Sequence, residues 1–370
     1  MKILIIDPYL TPSHELWLDH LSKGLPHQIF KLTLPPYHWK WRMHGGSLEL
    51  AEKLINSGFV PDLILATEML DLNIFMAHCR RHLKKNCRVI IYFHENQLTY
   101  PVSRMDMDRQ KKFDNHYAFI NFSSAVLADW ILFNSEFHRQ VFLDALIPFL
   151  KQFPGGTLLT SPDQLHNKSS VIYPGIDFEI LMQEKKQFSN QVPVILWNHR
   201  WEYDKDPDLF FKVIRQIAAE GKPFQLAILG QHFHRSPPIF EAIRHSPLAD
   251  RIVHWGFIPE RKDYYQWLWK SDIIISTSKQ DFFGISVVEA IIAQCYPLLP
   301  NRLAFPEHIP ESHHAEHLYI SEDDLLVKTR KLLDQWEESR RSTGYLHRHV
   351  TKYNPAKLID QYIELFEKLM

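Results

Sequence analysis

Short runs of consecutive apolar residues recur along the chain, separated by stretches of helix length that mix apolar and polar positions. The runs are KILIID, PDLILATE, RVIIYF, WILFNS, PVILWN, FQLAILG, RIVHWG, DIIIST and YPLLPN. Continuous apolar runs of this length are typical of parallel strands covered by helices on both faces. The alternation therefore predicts an α/β fold with doubly wound sheets.

The position of the runs predicts two domains, as does the length of 370 residues. Four runs precede residue 180 and five follow residue 190, with a polar, strand-free hinge at 178–191. We expect an N-terminal domain at 1–180 and a C-terminal domain at 190–353. The remaining residues, 354–370, predict an amphipathic helix, with Asn354 as its cap and Pro355 in its first turn. Residues 153–170 are expected to form a loop.

Composition narrows the class of protein. The formal net charge is −1, so no global basic field indicates nucleic acid, although 42 lysines and arginines leave room for a local basic face. The three cysteines form no Cys-x-x-Cys pair, which favours a reducing compartment. The apolar stretch at the N-terminus is too short, and its surroundings too acidic, for a signal peptide. No apolar run reaches the ~20 residues of a membrane span. We expect a soluble, cytoplasmic protein without membrane association.

The stretch DFFGISVVEA carries two acids around the start of a predicted helix. A strand ends near Thr277, a loop containing Asp281 follows, and Gly284 opens the helix that holds Glu289. Backbone N–H groups at a helix N-terminus suit a phosphate, and nearby carboxylates suit sugar hydroxyls. The segment is thus a candidate site for a nucleotide sugar. The alternative is a capped helix with a solvated glutamate.

The stretch ILWNHRWEYDKDP is a second strand that ends in a polar loop. Arg200 and Lys205 are candidates for neutralising a diphosphate leaving group. The alternative is a salt-bridged loop, because acids alternate with these cations.

The stretch RVIIYFHENQLTYP, in the first domain, is a third strand that ends in a polar loop. His94 follows this strand directly, where an imidazole can hydrogen-bond a substrate or transfer a proton. The alternative is a histidine with a structural role. No spacing among the 22 histidines matches a standard metal-ligand set, so we expect no metal site.

The stretch YHWKWRMHGGS combines aromatic and basic residues. Trp39, Lys40 and Arg42 suit stacking on bases and contact with RNA phosphates. The alternative is a buried aromatic loop with solvated tips. The basic segment 103–112 is a second candidate for RNA contact, or an ordinary charged helix start.

Together these stretches resemble the retaining nucleotide-sugar glycosyltransferases of family 4, which have the GT-B fold of two facing Rossmann-like domains. This resemblance implies that the helix at 354–370 packs back on the N-terminal domain. In that family an acid, seven residues and a glutamate bind the donor sugar, and Asp281 and Glu289 match, with aspartate in place of the usual glutamate. The segments YFHENQLTYP, NHRWEYDKDP and FFGISVVEA with YPLLPNRLAFPE further resemble the tRNA-queuosine α-mannosyltransferases over the whole chain. Ser13 and His14 stand where family 4 has a glycine-rich acceptor loop, but those glycines are missing.

The resemblance implies a set of site residues. The implied catalytic residues are His94, Arg200, Lys205 and Glu289. The implied donor-binding residues are Asn198, Asp281, Phe283, Gly284, Ile285 and Glu289. The implied acceptor-binding residues are Ser13, His14, Trp39, Lys40, Arg42, Glu95 and Asn96.

The resemblance also implies the reaction. Mannose would pass from GDP-mannose, a co-substrate, to the queuosine of tRNA-Asp, with retention of configuration and without a cofactor or metal. The residues leave two alternatives open. One is a family 4 enzyme with another nucleotide sugar and a glycan or lipid acceptor, and the other is a non-catalytic nucleotide-sugar-binding protein. The sequence gives no indication of an oligomeric state.

Overall fold

A computed structural model describes residues 1–101, 115–154, 161–183, 190–232, 236–339 and 343–370. The chain divides into two compact units. The first unit comprises Met1–Gly175 and Pro355–Met370, and the second comprises Ile176–Asn354. The C-terminal segment thus belongs to the first unit, although it follows the second in sequence.

Each unit is built on a parallel sheet of six described strands. The first sheet has the order β2-β1-β3-β4-β5-β6 and the second β12-β11-β10-β7-β8-β9. The strands are β1 Lys2–Asp7, β2 Gln28–Thr33, β3 Leu63–Thr67, β4 Arg88–Phe93, β5 Trp130–Phe133, β6 Ser169–Val171, β7 Val194–Asn198, β8 Gln225–Leu229, β9 Ile252–Gly256, β10 Ile273–Ile275, β11 Tyr296–Pro300 and β12 Leu318–Tyr319.

Helices connect the strands. The first unit contains α1 Pro12–Gly24, α2 Trp39–Arg42, α3 Gly45–Ser57, α4 Leu72–Cys79, α5 His116–Leu127, α6 Glu136–Leu150, α7 Ser161–Asn167 and, at the end of the chain, α17 Pro355–Leu369. The second contains α8 Phe178–Gln183, α9 Pro207–Ala219, α10 Ile239–Arg244, α11 Arg261–Lys270, α12 Ile285–Ile292, α13 His314–His317, α14 Glu322–Asp334, α15 Trp336–Ser339 and α16 Gly344–Val350. Short 3₁₀ turns lie at Tyr203–Lys205, Pro247–Arg251, Phe305–His308, Glu311–His313 and Thr351–Tyr353.

The first sheet is buried on both faces, which explains its continuous apolar strands. Successive side chains of a strand point to opposite faces. Accordingly, Leu4 and Ile6 belong to one core cluster, whereas Ile3 and Ile5 belong to another. The second cluster includes α17, and the indole N–H of Trp17 donates a hydrogen bond to the Tyr362 hydroxyl at 3.0 Å. Helix α17 therefore covers one face of the first sheet.

The second sheet is likewise buried on both faces. The β7 side chains Ile195 and Trp197 join a cluster with α9 and α14, while Leu196, between them, is fully buried as well. Burial of each large apolar side chain contributes roughly 1.5–3 kcal/mol relative to exposure. A rigid sheet thus presents the loops that follow its strands.

Some local expectations differ from the structure. The predicted loop at 153–170 contains helix α7 and strand β6, so that expectation is wrong where the structure describes it. The Trp39–Arg42 segment is a helical turn instead of an open loop. The basic segment 103–112 lies outside the described residues. Within the described ranges no helix combines the length and apolar character needed to cross a bilayer.

Candidate active site

Polar side chains gather where β7 and β10 end in the second unit. The chain runs from β7 outward through β8 and β9, and β10 then pairs with the other side of β7. Loops diverge at such a switch point and leave a crevice, which is the usual ligand site of doubly wound sheets. Strand β7 ends in Asn198, and Arg200 and Lys205 follow it, whereas Asp281 and Gly284 follow β10. The predicted donor residues therefore share one edge of the sheet.

Lys205 joins the two loops. Its ammonium lies 3.0 Å from Asp281 Oδ1 and 3.3 Å from Asp204 Oδ2, and it donates a hydrogen bond to the Gln280 carbonyl at 2.6 Å. Burial raises the pKa of Asp281, but Lys205 and then His199 outweigh it, so the pKa lies below its usual range. Asp281 is therefore ionised at neutral pH. Its buried Oδ2 has no hydrogen-bond partner within the described structure, which leaves this oxygen able to accept from a ligand.

Arg200 forms an ion pair with Glu202 at 3.2 Å, and its side chain is 50% exposed. Carboxylates thus contact both cations that were predicted to hold a diphosphate, as the salt-bridged-loop alternative expects. An exposed pair of this kind is worth at most about 1 kcal/mol. A phosphate can replace Glu202 at Arg200 far more easily than it can replace the buried partners of Lys205.

Gly284 turns the chain into helix α12. Its φ of 87° lies in the left-handed region, and a Cβ there would come within 3.0 Å of the Phe305 ring. Ile285 is the first helical residue, and the Phe283 carbonyl accepts a hydrogen bond from His308 Nε2 at 2.6 Å. The left-handed φ and the closeness of the Phe305 ring both require a residue without a side chain at position 284. The N–H groups of the first turn are thereby placed at the sheet edge.

Glu289 is held by two residues of helix α11. The Tyr264 hydroxyl donates to Oε2 at 2.9 Å, and Arg261 Nη2 lies 3.5 Å from Oε1. Burial raises the pKa of Glu289 to about 7, although Arg261 and Tyr264 act against that rise. The carboxyl is thus close to half ionised at neutral pH, which is the state in which a small change of environment shifts its charge.

The same network reaches Asn198 and the start of the second unit. Asn198 Nδ2 donates to the Tyr264 hydroxyl at 3.1 Å and to the Ser286 carbonyl at 2.8 Å, while its buried Oδ1 has no hydrogen-bond partner in the described chain. Arg261 also contacts Asp177 at 3.1 Å, and the Tyr265 hydroxyl donates to the same carboxylate. Asn198 therefore ties β7 to the first turn of α12.

The first unit has a corresponding cluster at its own switch point, where β1 lies between β2 and β3. His94, after β4, is half-buried, and desolvation lowers its pKa well below the usual range, as do the neighbouring His14 and His138. Its backbone N–H and that of Glu95 donate to the two oxygens of Glu68, at 3.1 and 3.0 Å. Glu68 is fully buried, and this burial raises its pKa to about 8. It fixes the backbone of the loop that carries His94.

His14 stacks on His94 with the ring centroids 3.9 Å apart. Its Nδ1 lies 2.8 Å from Asp7 Oδ2 at the end of β1. Burial lowers the pKa of His14, but Asp7 more than compensates, so the pKa is raised overall. His14 is therefore the more basic of the two rings. Ser13, its neighbour, is exposed and lies 3.0 Å from the Thr11 hydroxyl.

The other predicted acceptor residues of this loop are already engaged. Asn96 is fully buried, and its amide exchanges hydrogen bonds with Thr99. Glu95 Oε1 accepts from Gln97 Nε2 at 3.0 Å. The structure thus gives Asn96 a structural role in the turn after His94.

Trp39 and Lys40 meet an aromatic group on α5. The Trp39 ring lies 5.0 Å from that of Tyr117, and the Lys40 ammonium lies 5.6 Å from the Trp39 ring. His44 stacks on His116 at 4.6 Å. Arg42, in contrast, pairs with Glu49 at 3.5 Å on α3. The predicted acceptor segment therefore forms an aromatic cluster with residues 72 or more positions later in the chain.

Several residues of these clusters were missed from the sequence. Glu68 and Asp7 each end or follow an apolar strand, which is the signal that identified His94 and could have found them. Arg261, Tyr264 and Asp177 carry no such signal, because only folding brings α11 to Glu289. No group of three or more metal-ligating side chains occurs in the part of the chain that the structure describes.

Comparison with solved structures identifies the class of the fold. HepE of Anabaena in complex with UDP-glucose matches with a TM-score of 0.72 at 16% identity, over 100% of both chains. Sucrose-phosphate synthase of Thermosynechococcus elongatus matches with a TM-score of 0.72 at 12% identity, over 100% of this chain and 99% of that one. The model for glycosyl transferases group 1 matches residues 179–350. The protein is a glycosyltransferase of the GT-B fold.

The particular family follows from the sequence. The model for the N-terminal part of tRNA-queuosine alpha-mannosyltransferases matches residues 2–176. A Drosophila melanogaster tRNA-queuosine alpha-mannosyltransferase is 31% identical over 99% of this chain and 96% of its own length. The chain belongs to the tRNA-queuosine alpha-mannosyltransferase family. This confirms the predicted family, the α/β fold of GT-B type and the prediction of a hexosyltransferase.

Proposed function

We propose that the protein transfers mannose from GDP-mannose to the queuosine nucleoside of tRNA-Asp, with retention of the anomeric configuration. The full-length similarity to the Drosophila mannosyltransferase supports the sugar and the acceptor. The observation that carries a donor site is the arrangement at the β7/β10 switch point. There Asp281, Glu289 and the first turn of α12 lie on one edge of the second sheet.

Charge placement supports a nucleoside diphosphate sugar as donor. The partial positive charge at the N-terminus of α12 and the exposed Arg200 can stabilise the diphosphate as the glycosidic bond breaks. Lys205 keeps Asp281 ionised and fixes the loop after β10. We therefore propose Arg200 and the helix N-terminus as the principal phosphate contacts, with no metal required.

The carboxylates support recognition of hydroxyl groups. Asp281 Oδ2 is buried and can accept a hydrogen bond, and Glu289 is poised near half ionisation. Hydroxyl donors bound to both would also favour the ionised form of Glu289. In this proposal His94 contacts the donor sugar as a neutral imidazole, since its pKa is low. No side chain is assigned as a covalent nucleophile.

The acceptor proposal uses the aromatic cluster of the first unit. Trp39 and Tyr117 can stack on unpaired bases of an RNA loop, and Lys40 can contact a phosphate.

The three cysteines are free, as expected in a reducing compartment. We propose the cytoplasm as the site of the reaction, where mature tRNA occurs.

The test uses purified protein, GDP-mannose and tRNA from cells with and without queuosine. After digestion to nucleosides, mass spectrometry should detect one added hexose on queuosine alone. UDP-glucose, ADP-glucose and GDP-glucose serve as matched alternative donors, and purified tRNA-Asp is compared with other queuosine-containing tRNAs. Transfer from another donor would replace GDP-mannose in the proposal. Absence of hexose on every nucleoside, with folded protein, would contradict the tRNA acceptor.

A further inference from the structure

A basic segment follows helix α4 in the first unit. Between residues 78 and 88 the chain carries five lysines and arginines and no acid, in a protein whose formal net charge is −1. These residues are Arg80, Arg81, Lys84, Lys85 and Arg88. Cations near a helix C-terminus interact favourably with the negative end of the helix dipole, but that interaction falls off within the last turn. It does not account for a run of cations that extends to the start of β4.

Part of this segment lines an open groove of about 470 Å³. Its lining residues are Ile55, Ala77, His78, Arg80, Arg81 and His82. The first two supply apolar surface, and both arginines are exposed. A groove that combines apolar surface with two guanidinium groups suits the ribose and phosphates of an RNA strand, because guanidinium groups bind phosphate oxygens in pairs.

The acids near the segment already have partners. Lys84 pairs with Asp62, and Arg88 pairs with Asp129 at 3.1 Å. Across the described ranges, no ion pair or hydrogen bond joins the Arg80 or Arg81 side chain to another residue. The two arginines are thus cations whose charge is not balanced by a contacting carboxylate.

We infer that this groove binds the sugar-phosphate backbone of the RNA acceptor, an inference that rests on the proposed function. The groove lies at the opposite end of strand β4 from His94. Six strand residues separate these ends, or about 20 Å at ~3.3 Å per residue. An RNA spans this distance easily, whereas a nucleotide sugar does not. The groove therefore contributes to RNA affinity without contacting the reacting atoms.

The experiment measures the salt dependence of RNA binding. An unmodified tRNA transcript is titrated with wild-type protein and with the double variant Arg80→Ala/Arg81→Ala at several salt concentrations. Each lost phosphate contact lowers the slope of log K against log salt by about 0.7–0.9. The double variant should thus lose roughly 1.4–1.8 from the slope. In turnover it should raise the KM for tRNA and leave kcat and donor affinity unchanged.

Two matched variants serve as controls. Arg215→Ala/Arg244→Ala removes the same charge from exposed helix positions of the second unit and should retain the wild-type slope. Arg80→Lys/Arg81→Lys keeps the charge and should recover most of the slope. Equal slopes for both alanine pairs, or no RNA binding by wild-type protein, would overturn the inference. Salt-dependent binding without hexose transfer would instead contradict the proposed function and leave the groove supported.

Discussion

The buried Lys205 forms an ion pair at 3.0 Å with the half-buried Asp281, and this pair connects the loop after β7 to the loop after β10. These residues lie 76 positions apart in the sequence, and Lys205 is only 6% exposed. Removing Lys205 alone leaves two carboxylates without their cation, whereas removing Asp281 as well leaves only that of Asp204. The stability of the two loops therefore depends on whether the charges of this pair are balanced.

We expect Lys205→Met to lower the free energy of unfolding by about 3–5 kcal/mol, because Asp281 and Asp204 lose their cation. Lys205→Met/Asp281→Asn should recover a large part of this loss. Urea unfolding of wild type, both single variants and the double variant gives the coupling energy. Additive effects of the two substitutions would show that the pair is not energetically coupled.

The raised pKa of Glu289 predicts that the free energy of unfolding depends on pH. Its pKa is about 7 in the folded protein and near 4.3 in the unfolded chain, so the folded state holds more protons between these values. The contribution of Glu289 to stability is thus greatest below pH 4 and decreases as the pH rises toward and past 7. Wild type should lose roughly 3 kcal/mol relative to Glu289→Gln between pH 4 and pH 8.

The same substitution tests the role of the carboxylate in transfer. If ionised Glu289 accepts hydrogen bonds from the donor, kcat/KM for the donor should increase with pH around 7. Glu289→Gln should remove this dependence and lower kcat/KM by about 10²-fold, the effect of roughly 2.7 kcal/mol in the transition state. An unchanged pH profile in the variant would assign the titration to another group.

Gly230 should tolerate no side chain. A Cβ at this position would lie 1.9 Å from the His199 carbonyl oxygen, and its φ is 133°. Gly221, at φ 75°, has no atom within 4 Å of a Cβ and is the matched control. Gly221→Ala should cost roughly 1–2 kcal/mol of backbone strain, whereas Gly230→Ala should cost more than about 4. Thermal unfolding compares them, and equal losses would refute the close approach.

Glu68→Gln should disturb the loop that carries His94. One oxygen of the buried carboxyl becomes an NH₂ group, which would face the N–H of His94 or Glu95. We expect a loss of about 1–3 kcal/mol in unfolding free energy, because a buried donor then lacks an acceptor. Hexose transfer should fall mainly through kcat, while affinity for the nucleotide alone stays unchanged. A variant with wild-type kcat would separate Glu68 from the function of His94.

The sequence predicted much of the fold, because strand runs and amphipathic helices are local patterns. It also placed His94, Arg200 and Asp281 correctly after strands, since a polar residue that ends an apolar run is visible without a structure. It failed at 161–167, where the loop composition of the surrounding segment concealed helix α7. The ion pair of Lys205 with Asp204 was expected from the acids that alternate beside it, whereas the pair with Asp281, 76 positions later, depends on the folded chain.

By itself the sequence determined the α/β class, the family and the loops that bear polar residues, because these depend on patterns within one segment. The tertiary structure alone decided that Tyr264 and Arg261 hold Glu289, and that Glu68 holds the His94 loop. Such contacts depend on strand order and helix packing, which bring together residues 25 or more positions apart. Burial at those contacts then sets the pKa values of Glu289 and Glu68, and burial is a property of the folded chain.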